Sequence, residues 1–169
     1  MPRRTYGLIG KSLSHSFSKD YFTQKFDSLK LPHEYLNFEL NSIHEIMDLI
    51  ETQKDLRGLN VTIPFKESII PHLDEIDPIA AQIGAVNTVS ITEGKLKGFN
   101  TDAFGFKQLI KPFFKGHHER ALILGSGGAS KAVRFVLENL GVECNTVSRN
   151  PDTTQLNYNQ LNNHVLNAH

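Results

Sequence analysis

The 169-residue sequence contains no tryptophan, only one cysteine and no net formal charge. Basic and acidic residues number 18 each, so the broad basic surface of a nucleic-acid-binding protein is not expected. No run of 18 apolar residues predicts a membrane span, and the N-terminal residues lack the apolar core of a secretory signal. Cys144 has no second cysteine for an intrachain disulfide, and the eight histidines show no metal-ligand spacing. These absences predict a cytoplasmic protein with no nucleic-acid partner, no membrane partner and no metal.

The apolar residues that are present alternate between strand-like runs and helical patterns. Predicted strands cover residues 6–10, 34–40, 56–63, 120–124 and 142–148, with a hairpin formed by 85–91 and 96–99. Helices are predicted near residues 21–26, 43–50, 65–73, 78–83, 103–110 and 129–140, and the tail from residue 152 could form one short helix. Strands that alternate with helices predict an α/β protein with a mostly parallel sheet covered on both faces.

A glycine-rich turn lies between the strand 120–124 and the helix 129–140, and it reads Gly125-Ser126-Gly127-Gly128-Ala129-Ser130. Gly125 permits a tight turn, Gly127 allows a pyrophosphate to approach the backbone, and the helix N-terminus favours negative charge. The strand–turn–helix context favours a dinucleotide site over a plain glycine-rich loop.

The end of the following strand, Ser148-Arg149-Asn150, indicates which dinucleotide binds. A site for NAD usually places an acidic side chain here for the ribose 2′-hydroxyl, and residues 145–150 contain none. Arg149 can pair with a 2′-phosphate, with hydrogen bonds added by Ser148 and Asn150. NADP is therefore the predicted cofactor, and a solvated arginine at a strand end is the alternative.

Two polar segments carry candidates for proton transfer. The first reads Asn60-Val61-Thr62-Ile63-Pro64-Phe65-Lys66, and the second reads Asn100-Thr101-Asp102. Lys66 and Asp102 both lie near predicted strand ends, where parallel sheets place their ligands, and a tuned lysine can act as a general acid or base. Taken alone, each is more simply a surface lysine or a turn-forming aspartate. Ser14 and Ser16 can donate to a carboxylate or cap a helix.

The order and spacing of these motifs resemble those of the shikimate dehydrogenase family. The resemblance rests on Ser14-His15-Ser16, the two segments that contain Lys66 and Asp102, Gly84-Ala85-Val86-Asn87-Thr88 and the glycine turn. It implies an N-terminal three-layer α/β substrate domain over residues 1–101, followed by a partial Rossmann nucleotide-binding domain over 102–169. It also implies reversible reduction of 3-dehydroshikimate to shikimate with NADPH, in aromatic amino-acid biosynthesis.

The resemblance also implies roles for individual residues. Lys66 would be the catalytic acid–base and Asp102 its partner on the reacting oxygen, while Ser14 and Ser16 would hold the substrate carboxylate. The polar groups of the ring would contact Asn60, Thr62 and Asn87. Asp77 matches an acidic position near the nicotinamide more loosely.

The sequence departs from the family in two places. Ser148-Arg149-Asn150 stands where the family usually has Asn-Arg-Thr, which keeps the arginine but changes its neighbours. The family also continues beyond His169, so we expect a chain that truly ends there to be inactive or nearly so. A quinate/shikimate dehydrogenase of broader specificity and a truncated, non-catalytic shikimate-binding fragment are the alternatives, and a homodimer is one expected assembly.

Overall fold

The structure of the chain, a computed structural model, describes residues 2–167. It divides into two compact units, Met1–Asn100 and Thr101–His169. Among the described residues, no helix is both long enough and apolar enough to span a membrane.

A mixed sheet of six strands forms the centre of the first unit. Its strands are β1 (Thr5–Gly10), β2 (Glu34–Glu39), β3 (Leu56–Val61), β4 (Glu75–Ile76), β5 (Thr88–Thr92) and β6 (Lys95–Phe99), in the order β2-β1-β3-β5-β6-β4. β1 pairs in parallel with β2 and β3, and β4 pairs in parallel with β6. The pairs β3–β5 and β5–β6 are antiparallel, so the predicted, mostly parallel sheet is mixed where the hairpin joins it.

The helices of the first unit are α1 (Ser18–Ser28), α2 (Ile46–Thr52), α3 (Phe65–Ser68) and α4 (Pro78–Ile83). The predicted helix over 65–73 is shorter than expected, because α3 ends at Ser68 and a 3₁₀ turn follows over Ile70–His72. Pro71 lies within that turn and has no backbone N–H to continue a helix. Strand β4 was not predicted, since two residues carry no alternation to recognise.

Both faces of the six-stranded sheet are covered by apolar side chains. Leu8 and Tyr35 pack on one face with Phe22 and Phe26, which lie on α1. Neighbours of these residues along the strands point to the opposite face, where the larger core lies, and that core includes Ile9, Ile46, Leu59, Val61, Phe65, Ile69 and Val89. This alternation follows from the two-residue period of a strand and gives the three layers expected of an α/β unit.

The second unit contains a parallel sheet of three strands in the order β7-β8-β9. Its elements are α5 (Asp102–Ile110), β7 (Arg120–Leu124), α6 (Gly128–Asn139), β8 (Glu143–Ser148), β9 (Leu156–Asn157) and α7 (Asn163–Asn167). The predicted strand–turn–helix–strand unit is present, and Cys144 lies buried in β8. The tail contains a short helix, as predicted, and it also contains β9, which was not predicted.

Candidate active site and cofactor site

The carboxyl end of β3 and the residues directly after it carry three of the predicted site residues, Asn60, Thr62 and Lys66. Asn60 is in the strand, Thr62 follows it, and Lys66 lies in α3 after the cis Ile63–Pro64 bond. The Thr62 N–H donates to the Ile9 carbonyl at 2.9 Å, and the Phe65 N–H donates to the Thr62 carbonyl at 2.9 Å. These backbone bonds hold the segment against the end of β1.

Backbone hydrogen bonds also bring Asn87 to the same edge of the sheet. The Val86 N–H donates to the Lys66 carbonyl at 2.7 Å, and the Val61 N–H donates to the Asn87 carbonyl at 2.8 Å. Residues 85–87 follow directly after Gly84, the residue that ends α4. Gly84 has a φ of 69°, in the left-handed conformation that favours glycine. The first unit therefore brings Asn60, Lys66 and the buried Asn87 to the same end of the sheet, and their roles toward a substrate stay predictions.

The side chain of Asn60 belongs to a group of polar residues that the sequence analysis did not fully identify. The Tyr35 hydroxyl donates to Asn60 Oδ1 at 2.7 Å, and Asn60 Nδ2 donates to Thr88 Oγ1 at 3.4 Å. Thr88 Oγ1 donates in turn to Asn87 Oδ1 at 3.0 Å. Burial raises the pKa of Tyr35 to about 12, so its hydroxyl stays protonated near neutral pH. Thr88 belongs to the motif Gly84-Ala85-Val86-Asn87-Thr88. For Tyr35, the sequence indicates only that it lies in a predicted strand.

The serine loop connects β1 to α1. The Leu13 N–H donates to Glu39 Oε1 at 2.6 Å, and the Ser16 N–H donates to the Leu13 carbonyl at 2.9 Å. Ser16 Oγ accepts from the Ser18 N–H at 3.3 Å, at the first residue of α1. Ser16 thus accepts one N–H at the start of α1, whose N-cap position is Phe17, and its hydroxyl proton can still be directed to a ligand. Ser14 is exposed.

The two aspartates named by the sequence analysis lie at helix starts. Asp77 precedes α4, and its carboxylate accepts from the Ile79 N–H at 2.9 Å and the Ala80 N–H at 3.3 Å. This is a helix N-cap, and a role for Asp77 near the nicotinamide stays a prediction. Asp102 is the first residue of α5 in the second unit.

The glycine turn of the second unit has the backbone geometry that a dinucleotide site requires. Gly125 has a φ of +121°, and its N–H donates to the Val147 carbonyl at 2.8 Å. A Cβ atom built on Gly125 or Gly127 would meet nothing within 4 Å, so the space beside the turn is open to a ligand. Helix α6 begins at Gly128 and runs for 12 residues. An open turn at a helix N-terminus fits a bound pyrophosphate.

The end of β8 lies beside this turn. Ser126 Oγ and Ser148 Oγ are 3.0 Å apart, and the Asn150 N–H donates to Ser148 Oγ at 3.3 Å. Ser148 is buried, while Arg149 and Asn150 are exposed. The structure therefore brings Ser148 to the glycine turn and leaves Arg149 accessible from solvent. The Ser130 hydroxyl donates to the Gly127 carbonyl at 2.5 Å.

Among residues 2–167, no three histidine, cysteine, aspartate or glutamate side chains are close enough to hold a metal ion.

A mixed α/β unit with polar residues at one sheet edge, followed by a parallel unit with a dinucleotide-type turn, defines a two-unit α/β protein with a Rossmann-like second half. Residues 8–89 match the family model described as the shikimate dehydrogenase substrate binding domain. This segment of the chain belongs to the shikimate dehydrogenase substrate-binding-domain family.

Curated relatives and solved structures agree with this assignment. The chain is 44% identical over 139 residues to the shikimate dehydrogenase (NADP(+)) of Halothermothrix orenii, which covers 80% of this chain and 48% of that protein. It is 39% identical over 165 residues to the protein of the same name from Staphylococcus epidermidis, covering 93% of this chain and 61% of the relative. The chain therefore spans about half to three-fifths of these relatives' length.

Two solved structures have the same fold. The crystal structure of shikimate dehydrogenase 1 from Peptoclostridium difficile matches with a TM-score of 0.82 and 36% identity, over 90% of this chain and 59% of that one. The Thermus thermophilus shikimate 5-dehydrogenase in complex with NADP(H) and shikimate matches with a TM-score of 0.76 and 37% identity, over 88% and 57%. The predicted α/β class, with a substrate domain ahead of a Rossmann domain, is confirmed.

Proposed function

We propose that this chain carries the substrate unit and the start of the NADP unit of a dehydrogenase that reversibly reduces 3-dehydroshikimate to shikimate. The observation that carries the proposal is the pair of backbone bonds holding Lys66 and Asn87 at one sheet edge, at 2.7 Å and 2.8 Å. The family assignment and the relatives' names support the same reaction. A cytoplasmic location and a homodimer belong to the proposal as well.

The proposed chemistry assigns proton transfer to the chain's own side chains. Lys66 donates a proton to the substrate oxygen during reduction and removes it during oxidation. Asp102 contacts the same oxygen and holds it in register with the lysine. NADP, when bound at the glycine turn, supplies or accepts the hydride.

The remaining polar residues account for recognition of the substrate. The Ser14 and Ser16 hydroxyls donate to its carboxylate, and the ring hydroxyls meet Asn60, Thr62 and Asn87. Quinate carries an extra hydroxyl on the carboxylate-bearing carbon, which would face the serine loop. Comparing the two acids therefore distinguishes a shikimate enzyme from the quinate-accepting alternative.

The test is Lys66→Ala in a polypeptide extended to the relatives' full length, because this chain covers 48% of one relative and 61% of another. We expect shikimate binding, measured by calorimetry, to persist while turnover with NADP⁺ falls by about 10²–10⁴. Lys95→Ala, at an exposed position in the same unit, serves as the matched control and should retain turnover. Near-normal turnover of Lys66→Ala would overturn the assignment. Wild-type binding without turnover would favour the non-catalytic alternative.

A further inference from the structure

A series of side-chain hydrogen bonds joins Tyr35 to Asn87 by way of Asn60 and Thr88, and neither Tyr35 nor Thr88 has an assigned role. Tyr35 donates to Asn60 Oδ1 at 2.7 Å. From Asn60 the series continues through Thr88 to Asn87 Oδ1, at 3.4 Å and 3.0 Å.

Tyr35 is held in one place by the strands and by the aromatic residues around it. It lies on β2 opposite Tyr6 of β1, while Asn60 on β3 lies opposite Leu8, so the tyrosine hydroxyl reaches Asn60 across β1. Only 4% of Tyr35 is exposed, and its ring stacks on Phe22 with centroids 4.7 Å apart and planes at 12°. The ring, and with it the hydroxyl oxygen, is therefore held in place beside Asn60.

Each bond in the series determines the orientation of the next group. A protonated tyrosine that donates to Asn60 must meet the amide oxygen, which turns Asn60 Nδ2 toward Thr88. Thr88 then accepts from Asn60 and donates its own proton to Asn87 Oδ1. Because the Tyr35 and Thr88 hydroxyls can each donate or accept, the same contacts are satisfied when both amides are turned over together, so the series fixes the Asn60 and Asn87 amides relative to each other.

We propose that Tyr35 and Thr88 are positioning residues that couple the orientations of the Asn60 and Asn87 amides. This inference rests on the proposed function, which makes both asparagines substrate residues. Tyr35 and Thr88 act through the asparagines, and a shikimate site whose two amides are oriented together is already arranged for its ligand before binding. Preorganisation of this kind raises affinity because the ordering cost is met in the free protein.

The test compares Tyr35→Phe with the matched control Tyr6→Phe in the 169-residue chain. Both changes remove one hydroxyl from the same aromatic cluster, but only Tyr35 donates to Asn60. In ligand-free protein, the side-chain amide NMR signals of Asn60 and Asn87 should shift in Tyr35→Phe and stay in place in Tyr6→Phe. Shikimate should bind Tyr35→Phe about 3- to 10-fold more weakly, as expected for one lost hydrogen bond.

Thr88 provides an independent variant if Tyr35→Phe fails to fold. Thr88→Val removes the hydroxyl at similar volume and should shift the Asn87 signals and weaken shikimate binding, whereas Thr88→Ser should behave like the wild type. Unchanged amide signals, or unchanged shikimate affinity, in both Tyr35→Phe and Thr88→Val would overturn the inference. If the wild-type polypeptide extended to the relatives' full length fails to bind shikimate, the proposed function fails. The ligand-free amide signals still decide whether Tyr35 and Thr88 orient the two asparagines.

Discussion

At the scale of a single residue, we expect Arg149 to set the preference of the second unit for NADP over NAD. It is exposed at the end of β8, directly after Ser148, whose hydroxyl lies 3.0 Å from that of Ser126 in the glycine turn. A guanidinium placed there can pair with a 2′-phosphate and gains nothing from a 2′-hydroxyl. We expect Arg149→Ala to weaken NADP⁺ binding about 10-fold and to leave NAD⁺ binding unchanged, by fluorescence or calorimetric titration.

Arg120→Ala is the control for this prediction. Arg120 is also an exposed arginine of the second unit, but it lies at the first residue of β7, away from the turn that follows Leu124. The change removes the same charge and should leave both affinities as in the wild type. An equal loss of NADP⁺ and NAD⁺ binding in Arg149→Ala would make Arg149 a structural residue.

At the scale of an element, the N-cap of α4 supports the segment that carries Asn87. The Asp77 carboxylate accepts from the Ile79 and Ala80 N–H groups, and α4 leads through Gly84 to residues 85–87. Asp77→Ala removes the cap and should lower the free energy of unfolding by about 1 kcal/mol. Urea unfolding followed by circular dichroism measures the change.

Asp77→Asn separates the cap from a direct role at the cofactor. Asparagine caps helices as well as aspartate does, so the free energy of unfolding of Asp77→Asn should lie close to that of the wild type. If the charge of Asp77 is needed beside the nicotinamide, Asp77→Asn should instead bind NADP⁺ more weakly, while its free energy of unfolding stays unchanged. That result would establish the looser cofactor role implied by the family resemblance.

At the scale of the whole molecule, the second unit of the 169-residue chain exposes several large apolar side chains. They are Phe104, Leu109, Phe113 and Leu124, each between 64% and 71% exposed. Among the described strands, β7 pairs only with β8, which leaves one edge of an apolar strand open. Such an edge invites pairing with another chain. We therefore expect concentration-dependent self-association of the 169-residue polypeptide, measured by size-exclusion chromatography with light scattering.

A pair of leucine-to-lysine variants tests the source of that association. Leu124→Lys places a charge at the end of the open strand and should reduce association. Leu29→Lys makes the same change at a residue of the first unit that is 57% exposed, and it should have little effect. Equal suppression by both variants would contradict an origin in the second unit. Robust NADP-dependent shikimate oxidation by the same polypeptide would contradict the expectation that it is nearly inactive.

Much of the fold and the candidate site could be predicted from sequence because the features involved are local. The glycine turn, the strand before it and the helix after it occupy adjacent residues, and each has its own periodicity or backbone requirement. The hairpin around Glu93 and Gly94 was predictable for the same reason, and both residues have the positive φ of a tight turn, 52° and 78°. The motif containing Lys66 also lies within seven consecutive residues.

What the sequence by itself determined is therefore the order of the elements, the family and the residues that carry the proposed chemistry. Only the tertiary structure decided that the hairpin joins β3 in antiparallel pairing and that β9 extends the second sheet. It also decided that Tyr35 contacts Asn60, 25 positions away, because β1 lies between β2 and β3. The physical reason is that strand order and register arise from packing over the whole sheet. A local pattern determines which face a side chain takes but not which neighbour it meets there.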